Sequence, residues 1–180
     1  MPELLIGCGN SRDKRVGDAS NPGWKDLTTL DIDPHSGADV IHDLNNLPYP
    51  FADDHFDEIH AYEVLEHTGQ QGDWRFFLAQ FSEFWRILKP GGLLCATCPS
   101  VTSRWAWGDP GHTRVIQPET LVFLQQPRYE QVGRTAMTDY RAFYQADYDL
   151  AFSEDNGEGF KFALRAIKPS RIQAKAAPGA

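Results

Sequence analysis

Leu4-Leu5-Ile6-Gly7-Cys8-Gly9 constrains this chain more than any other stretch. Its three apolar residues read as a short buried strand. The two glycines permit a tight turn and leave room beside the backbone for a ligand. Further on, Thr29-Leu30-Asp31-Ile32-Asp33 reads as a second strand ending in carboxylates. An α/β domain that holds a nucleoside needs these parts. A small-residue turn lets the ligand approach, and an acid at the next strand end accepts hydrogen bonds from the two ribose hydroxyls.

The 180 residues suit one domain, expected over 1–169, with 170–180 as a flexible tail. A chain of this size buries about 70% of its unfolded surface and needs no staple. No run approaches the roughly 20 apolar residues that span a bilayer, and the short apolar run after Glu3 is no signal peptide. These features predict a cytoplasmic protein without a membrane partner. The net charge of −8 gives no general attraction to phosphate backbones. Arg12, Lys14 and Arg15, then Lys168, Arg171 and Lys175, are local basic spots, so a nucleic-acid partner is disfavoured rather than excluded. Oligomeric state is not legible. Cys8, Cys95 and Cys98 are an odd number, against a disulfide framework. Cys95 and Cys98 have CxxC spacing, but a strand over Leu93 to Thr97 sends them to opposite sides. With no second ligand pair they read as buried structural thiols, and no metal is expected.

Along the chain, Asn10 or Ser11 is placed to cap a helical turn before Gly17, Asn21, Pro22 and Gly23 interrupt it. Strands are expected at Leu27–Ile32 and Asp39–Asp43, and a fourth, outlined by Phe56, Ile59 and Ala61, from around Asp57, with a loop over Asn45–Asp54. A helical turn follows within Tyr62–Thr68. Trp74, Phe77, Leu78, Phe81, Phe84, Trp85 and Leu88 recur at helical spacing and define one long helix, begun near Asp73 and ended by Lys89-Pro90-Gly91-Gly92. Leu93–Thr97 is the fifth strand. Pro99–Thr113 reads as a long loop, Pro118–Gln126 as a helix begun by proline, and Tyr129–Met137 as a strand. Helical and strand spacings both fit parts of Tyr140–Phe152. Ser153–Gly159 reads as an acidic turn and Phe160–Ile167 as the last strand. The alternation of strand and crossover favours a Rossmann-like, mostly parallel α/β sheet with helices on both faces.

Several of these segments together resemble the class I S-adenosylmethionine-dependent methyltransferases, in particular a small group with a Gly-Cys-Gly first loop. The resemblance rests on Leu5-Ile6-Gly7-Cys8-Gly9, Leu30-Asp31-Ile32-Asp33-Pro34, His42-Asp43-Leu44 and Phe56-Asp57-Glu58-Ile59. Val64-Leu65-Glu66-His67 and Arg86-Ile87-Leu88-Lys89-Pro90-Gly91-Gly92 continue it. His112-Thr113-Arg114 and Pro118-Glu119-Thr120-Leu121 extend it into the second half. It implies a seven-stranded sheet whose last strand is antiparallel, and S-adenosylmethionine as cofactor. Gly7, Cys8 and Gly9 would then lie beside the methionine part, Asp31 on the ribose and Ile32 on the adenine. Asp43 would take the adenine amino group, with Leu44 close to the ring. Tyr62 and Glu63 would face the methionine moiety or the reaction centre. Glu66 and His67 more simply hold the turn after the strand.

Arg12 stands where many nucleotide loops have a third glycine. That counts against a nicotinamide-dependent oxidoreductase, whose dinucleotide pyrophosphate needs close helix–strand packing. It counts less against a cofactor without phosphate. His112 is the candidate base, with a buried histidine as the competing reading, and Tyr62 the candidate to position substrate. Arg114, Trp105 and Trp107 are candidates to line the acceptor pocket. The short segments beyond Ser100 favour a small-molecule or sugar-like acceptor. No Asn-Pro-Pro-Tyr or Asp-Pro-Pro-Tyr motif points to bases. A methyltransferase-like binding or assembly protein without catalysis is the other alternative.

Overall fold

The computed structural model describes residues 1–16 and 23–172. Seven strands form one sheet in the order β3-β2-β1-β4-β5-β7-β6. They are β1 (Pro2–Ile6), β2 (Asp26–Asp31), β3 (Val40–Ile41), β4 (Phe56–Tyr62), β5 (Leu88–Pro99), β6 (Tyr148–Asp155) and β7 (Gly159–Ala166). The pairs β1–β2, β1–β4, β2–β3 and β4–β5 are parallel. β7 runs antiparallel to both β5 and β6. The strand order reverses at β1, which has β2 on one side and β4 on the other. Such a reversal opens a crevice beyond the carboxyl ends of the parallel strands.

The helix α1 (Trp74–Ile87) forms where the apolar stripe was expected. Asp73 caps it by accepting from the Phe76 amide. Leu78, Phe81, Phe84 and Ile87 are buried in one core with Leu4, Ile6, Ile59, Ala61, Leu94 and Ala96 from the sheet. Phe160, Phe162 and Leu164 of β7 join the same core. Alternation along the strands turns Leu5, Tyr62 and Cys8 to the other side, where Val16, Trp24, Leu27 and Ala38 pack on them. The short helices α2 (Trp105–Gly108) and α3 (Pro118–Leu121) follow β5. Cys95 and Cys98 are free and buried. Cys98 belongs to the core that holds α1, whereas burial and the nearby Glu58 carboxylate push the Cys95 thiol up to about 12. Their spacing is therefore strand geometry rather than a chelate. No helix among the described residues is long and apolar enough to cross a membrane.

Several local expectations are corrected. Tyr129–Met137 is not a strand. It holds a 3-10 turn, Gln126–Gln131, followed by an isolated bridge between Val132 and Thr135. Its backbone bonds close locally, because the Gln131 carbonyl accepts from the amides of Arg134 and Thr135, and Gly133 adopts a left-handed φ of 80°. The acidic stretch from Ser153 is not all turn: β6 continues to Asp155 in register with β7. The third strand is shorter than expected and covers only Val40–Ile41. The fifth begins earlier, at Leu88. No helix forms over residues 10–16. Ser11 Oγ accepts from the Asp13 amide instead of capping one, and residues 17–22 lie outside the described residues, as do 173–180 of the expected tail.

The sheet has a fastened lower rim. Lys168 Nζ donates to the carbonyls of Arg86 and Leu88, at 3.0 and 2.6 Å, and pairs with Asp54. Arg171 clasps the fully buried Asp147 at 2.7 Å and Asp149 at 2.7 Å. The first contacts fasten carbonyls at the junction of α1 and β5. The second tie the chain to the start of β6.

Candidate cofactor and acceptor site

A cleft of about 320 Å³ opens where β1, β2 and β4 end, lined by Gly7, Gly9, Asp31, Ile32, Asp43, Leu44 and neighbours from the turn after β4. Gly7 and Gly9 have φ of 59° and 49°, in the left-handed region. At Gly7 a Cβ would lie 2.3 Å from Val64 Cγ2, so this turn packs directly on the chain leaving β4. At Gly9 a Cβ would meet nothing within 4 Å, which leaves the backbone open toward the cleft.

Asp31 joins the two halves of this site. Its Oδ2 accepts from the Gly9 amide at 2.8 Å and its Oδ1 from the Asp33 amide at 2.9 Å. The carboxylate thus braces the glycine turn, and each oxygen retains acceptor capacity for a ligand hydroxyl. Ile32 is 62% exposed at the cleft, a large apolar side chain with nothing over it. Asp43 Oδ1 accepts from the amide and side chain of Asn45 at 2.8 and 3.0 Å. A diol acceptor, an uncovered apolar surface and a second accepting carboxylate are the partners that a nucleoside with a ribose and an exocyclic amine requires. The residues present therefore fit S-adenosylmethionine.

The structure brings Gly7, Gly9, Asp31, Ile32, Asp43 and Leu44 together at this cleft. Cys8 adjoins it through the backbone, donating to the Leu30 carbonyl, while its side chain packs with Leu5 and Tyr62. Tyr62 lies elsewhere. Its hydroxyl accepts from the amides of Arg15 and Val16, at 3.1 and 3.2 Å, and sits 2.6 Å from His60 Nδ1. It anchors the chain after the glycine turn on the far side of the sheet. Glu63 is exposed, with a left-handed φ of 54° at the end of β4.

Arg114 is likewise inside the protein. Its guanidinium donates to the Leu65 carbonyl at 2.9 Å, to Thr68 Oγ1 at 2.8 Å and to Gln80 Oε1. Burial lowers its pKa to about 10, still far above neutrality. Its placement is that of a cation riveting the turn after β4 to α1, and it lines a smaller hollow of about 160 Å³ beside Trp74, Phe77 and Tyr140. Trp105 and Trp107 are 54% and 65% exposed on α2, and the Arg104 guanidinium lies 5.1 Å above the Trp105 ring.

His112 packs edge-on against His67, with ring centroids 4.7 Å apart. His67 itself lines the cleft, so the two imidazoles connect it to the loop after β5. Beside them, Glu66 is 2% exposed. Burial, reinforced by the Glu63 carboxylate, pushes its carboxyl up to about 8. His42, Asn45, Val64 and Thr68 also line the cleft and were not among the expected residues. The signal for Val64 and Thr68 was the strand-to-turn boundary after Tyr62; for His42 and Asn45 it was their place on either side of Asp43-Leu44.

Residues 4–96, just over half of the chain, match the family described as "Methyltransferase domain". This chain belongs to that family, and it is a class I S-adenosylmethionine-dependent methyltransferase. No curated protein matches it significantly. Solved structures share the fold at low identity. An S-adenosylmethionine-dependent methyltransferase from Archaeoglobus fulgidus is 15% identical at a TM-score of 0.54, over 91% of this chain and 85% of that one. A structure of the Haloferax volcanii Trm112 methyltransferase activator with a methyltransferase gives 15% and 0.57, over 92% and 82%. A methyltransferase from Mesorhizobium loti gives 13% and 0.53, over 91% and 89%.

Proposed function

We propose that this chain, as one of the small Gly-Cys-Gly methyltransferases, binds S-adenosylmethionine in the cleft beside Asp31. On this reading it methylates a small-molecule or sugar-like acceptor in the cytoplasm. The observation that carries the reading is the brace from Asp31 to the Gly9 amide, which fixes a ribose-accepting carboxylate against an open glycine backbone. Bound there, S-adenosylmethionine supplies an activated sulfonium methyl.

The chain's own contribution is alignment. Gly7 and Gly9 let the cofactor approach the backbone, Asp31 fixes the ribose, Ile32 and Leu44 hold the adenine and Asp43 accepts from its amino group. Cys8 and Glu63 flank the methionine end through their backbones. The acceptor would enter past Trp105 and Trp107, whose exposed rings offer an apolar wall. His112 is the base candidate at that side, reaching the cleft through His67. Tyr62 and Arg114 serve as positioning residues, one for the chain after the glycine turn and the other for the turn after β4. The segments beyond Ser100 are short and the net charge is −8, both better suited to a compact acceptor than to a duplex.

Calorimetric titration with S-adenosylmethionine and S-adenosylhomocysteine, with NADH as control, tests the cofactor site. Micromolar binding of the first two, about −8 kcal/mol, and none of NADH is expected. Asp31→Ala should weaken it by about 1–3 kcal/mol through loss of a charged acceptor. Unchanged affinity in a folded D31A protein would remove Asp31 from the site. Release of S-adenosylhomocysteine across panels of small hydroxyl and amine compounds, sugars and RNA then identifies the acceptor class. Tight binding with no turnover on any panel would favour a non-catalytic binding protein.

A further inference from the structure

Glu66, His67 and His112 each offer a ligand atom within 4.8 Å of the others. Proximity alone says little, since acids and histidines often cluster. The polar accounting says more. Both carboxylate oxygens of Glu66 are buried and receive no hydrogen bond, and His112 Nδ1 is buried and unpaired. Unsatisfied groups of this kind are costly and uncommon. The neighbouring Arg114 guanidinium does not serve them, because it donates to the Leu65 carbonyl, Thr68 Oγ1 and Gln80 Oε1. Glu66 and His112 line one small cavity with Cys98, Ala106, Arg114 and Ile116.

A second cluster in this protein shows the contrast. Glu3, Glu58 and His60 are as closely grouped, but Lys14 Nζ sits 2.6 Å from Glu3 and 2.7 Å from Glu58. There the chain supplies its own cation and leaves no orphaned oxygen. At Glu66 the nearby Arg114 supplies charge but no hydrogen bond, and both carboxylate oxygens stay unpaired.

His67 has the tautomer of a ligand. Its Nδ1 lies 3.1 Å from the Gly111 carbonyl. A carbonyl only accepts, so Nδ1 carries the proton and Nε2 keeps a free lone pair. Metal-binding imidazoles are usually fixed by such a bond on the second nitrogen.

We propose that Glu66, His67 and His112 bind a divalent transition-metal ion between the cofactor cleft and the loop after β5. Two imidazole nitrogens and one carboxylate oxygen favour Zn²⁺, Fe²⁺, Co²⁺ or Mn²⁺ over the oxygen-seeking Ca²⁺. An ion would draw the three atoms in to about 2.0–2.2 Å. His67 is exposed, which leaves a side of the ion open to another oxygen ligand. The use of that open side, to hold an oxygen of the methyl acceptor, rests on the cofactor site proposed above and gives His112 a ligand's role in place of a base's; the binding of the ion does not rest on it. No metal was expected from the cysteines, and this site uses none of them.

Metal-stripped, untagged protein titrated with Co²⁺ and followed by visible absorption tests the site. One equivalent should bind with d–d bands typical of nitrogen and oxygen ligation, and Zn²⁺ should displace it. Glu66→Gln and His112→Ala should each weaken Co²⁺ at least tenfold, whereas His35→Ala, on an exposed turn, should not. Absence of stoichiometric binding by the wild type overturns the proposal whether or not the variants fold. Undiminished binding by folded E66Q and H112A overturns it too. S-adenosylmethionine titrations of the same samples separate the two claims. Cofactor binding without Co²⁺ binding refutes the metal site alone, and Co²⁺ binding without cofactor binding refutes the functional reading alone.

Discussion

At the residue scale, Gly7 and Gly9 have similar backbones and different surroundings. Both need a left-handed φ that an L side chain adopts at a cost of about 1–3 kcal/mol. At Gly7 the added Cβ would also collide with Val64. Gly7→Ala should therefore lower the denaturation midpoint markedly and weaken S-adenosylmethionine, whereas Gly9→Ala should cost about 1 kcal/mol of stability. Denaturant unfolding of the pair checks this, and equal losses would mean that the Val64 contact yields easily. Both glycines and Asp31 were legible because a turn between a strand and a ligand leaves few residue choices. The roles of Tyr62 and Arg114 were not legible. A tyrosine at a strand end and an arginine in a loop have the same sequence context whether they face a ligand or the interior. Only the three-dimensional partners of their polar atoms decide.

At the scale of elements, the long helix was legible and the segment after α3 was not. Six apolar residues at helical spacing, Trp74 to Trp85, leave α1 little alternative. Tyr129–Met137 reads as a strand, yet local bonds to the Gln131 carbonyl and the left-handed Gly133 consume its backbone. Arg114 shows what holds the elements of the site together, linking the Leu65–His67 turn to α1 through Thr68 and Gln80. Arg114→Met should cost about 3 kcal/mol or more, because charge-assisted hydrogen bonds are lost and Gln80 Oε1 is left buried with one weaker partner. Chemical denaturation measures the loss. An R114M protein of wild-type stability with impaired turnover would return Arg114 to the substrate pocket.

At the scale of the molecule, the two faces of the sheet are held differently. The α1 face is an aromatic and aliphatic core, whereas the other carries the ionic group of Lys14, Glu3, Glu58 and His60. Hydrogen bonds from His60 and Lys14 hold the Glu58 carboxyl at about 2, against 4.5 when free. A depressed acid stabilises the fold above its unfolded pKa and loses that contribution as pH falls through its folded one. Wild type should therefore lose roughly 2–3 kcal/mol more than Glu58→Gln between about pH 5 and pH 2. Urea melts across that range read the difference, and parallel curves would show that the ionic group contributes nothing there. The parallel order of the sheet was legible from its alternation of strands and crossovers. The ionic group was not, since its members come from β1, β4 and the loop after β1 and meet only once the sheet forms. The rim fastened by Lys168 and Arg171 has a practical consequence. It lies at the beginnings of β4, β5 and β6, and the cleft lies beyond the other ends of the strands. A support, dye or fusion partner attached through exposed Asp53, on that lower rim, would leave the cleft facing solution. The molecule has a natural handle and a working end, and they point in opposite directions.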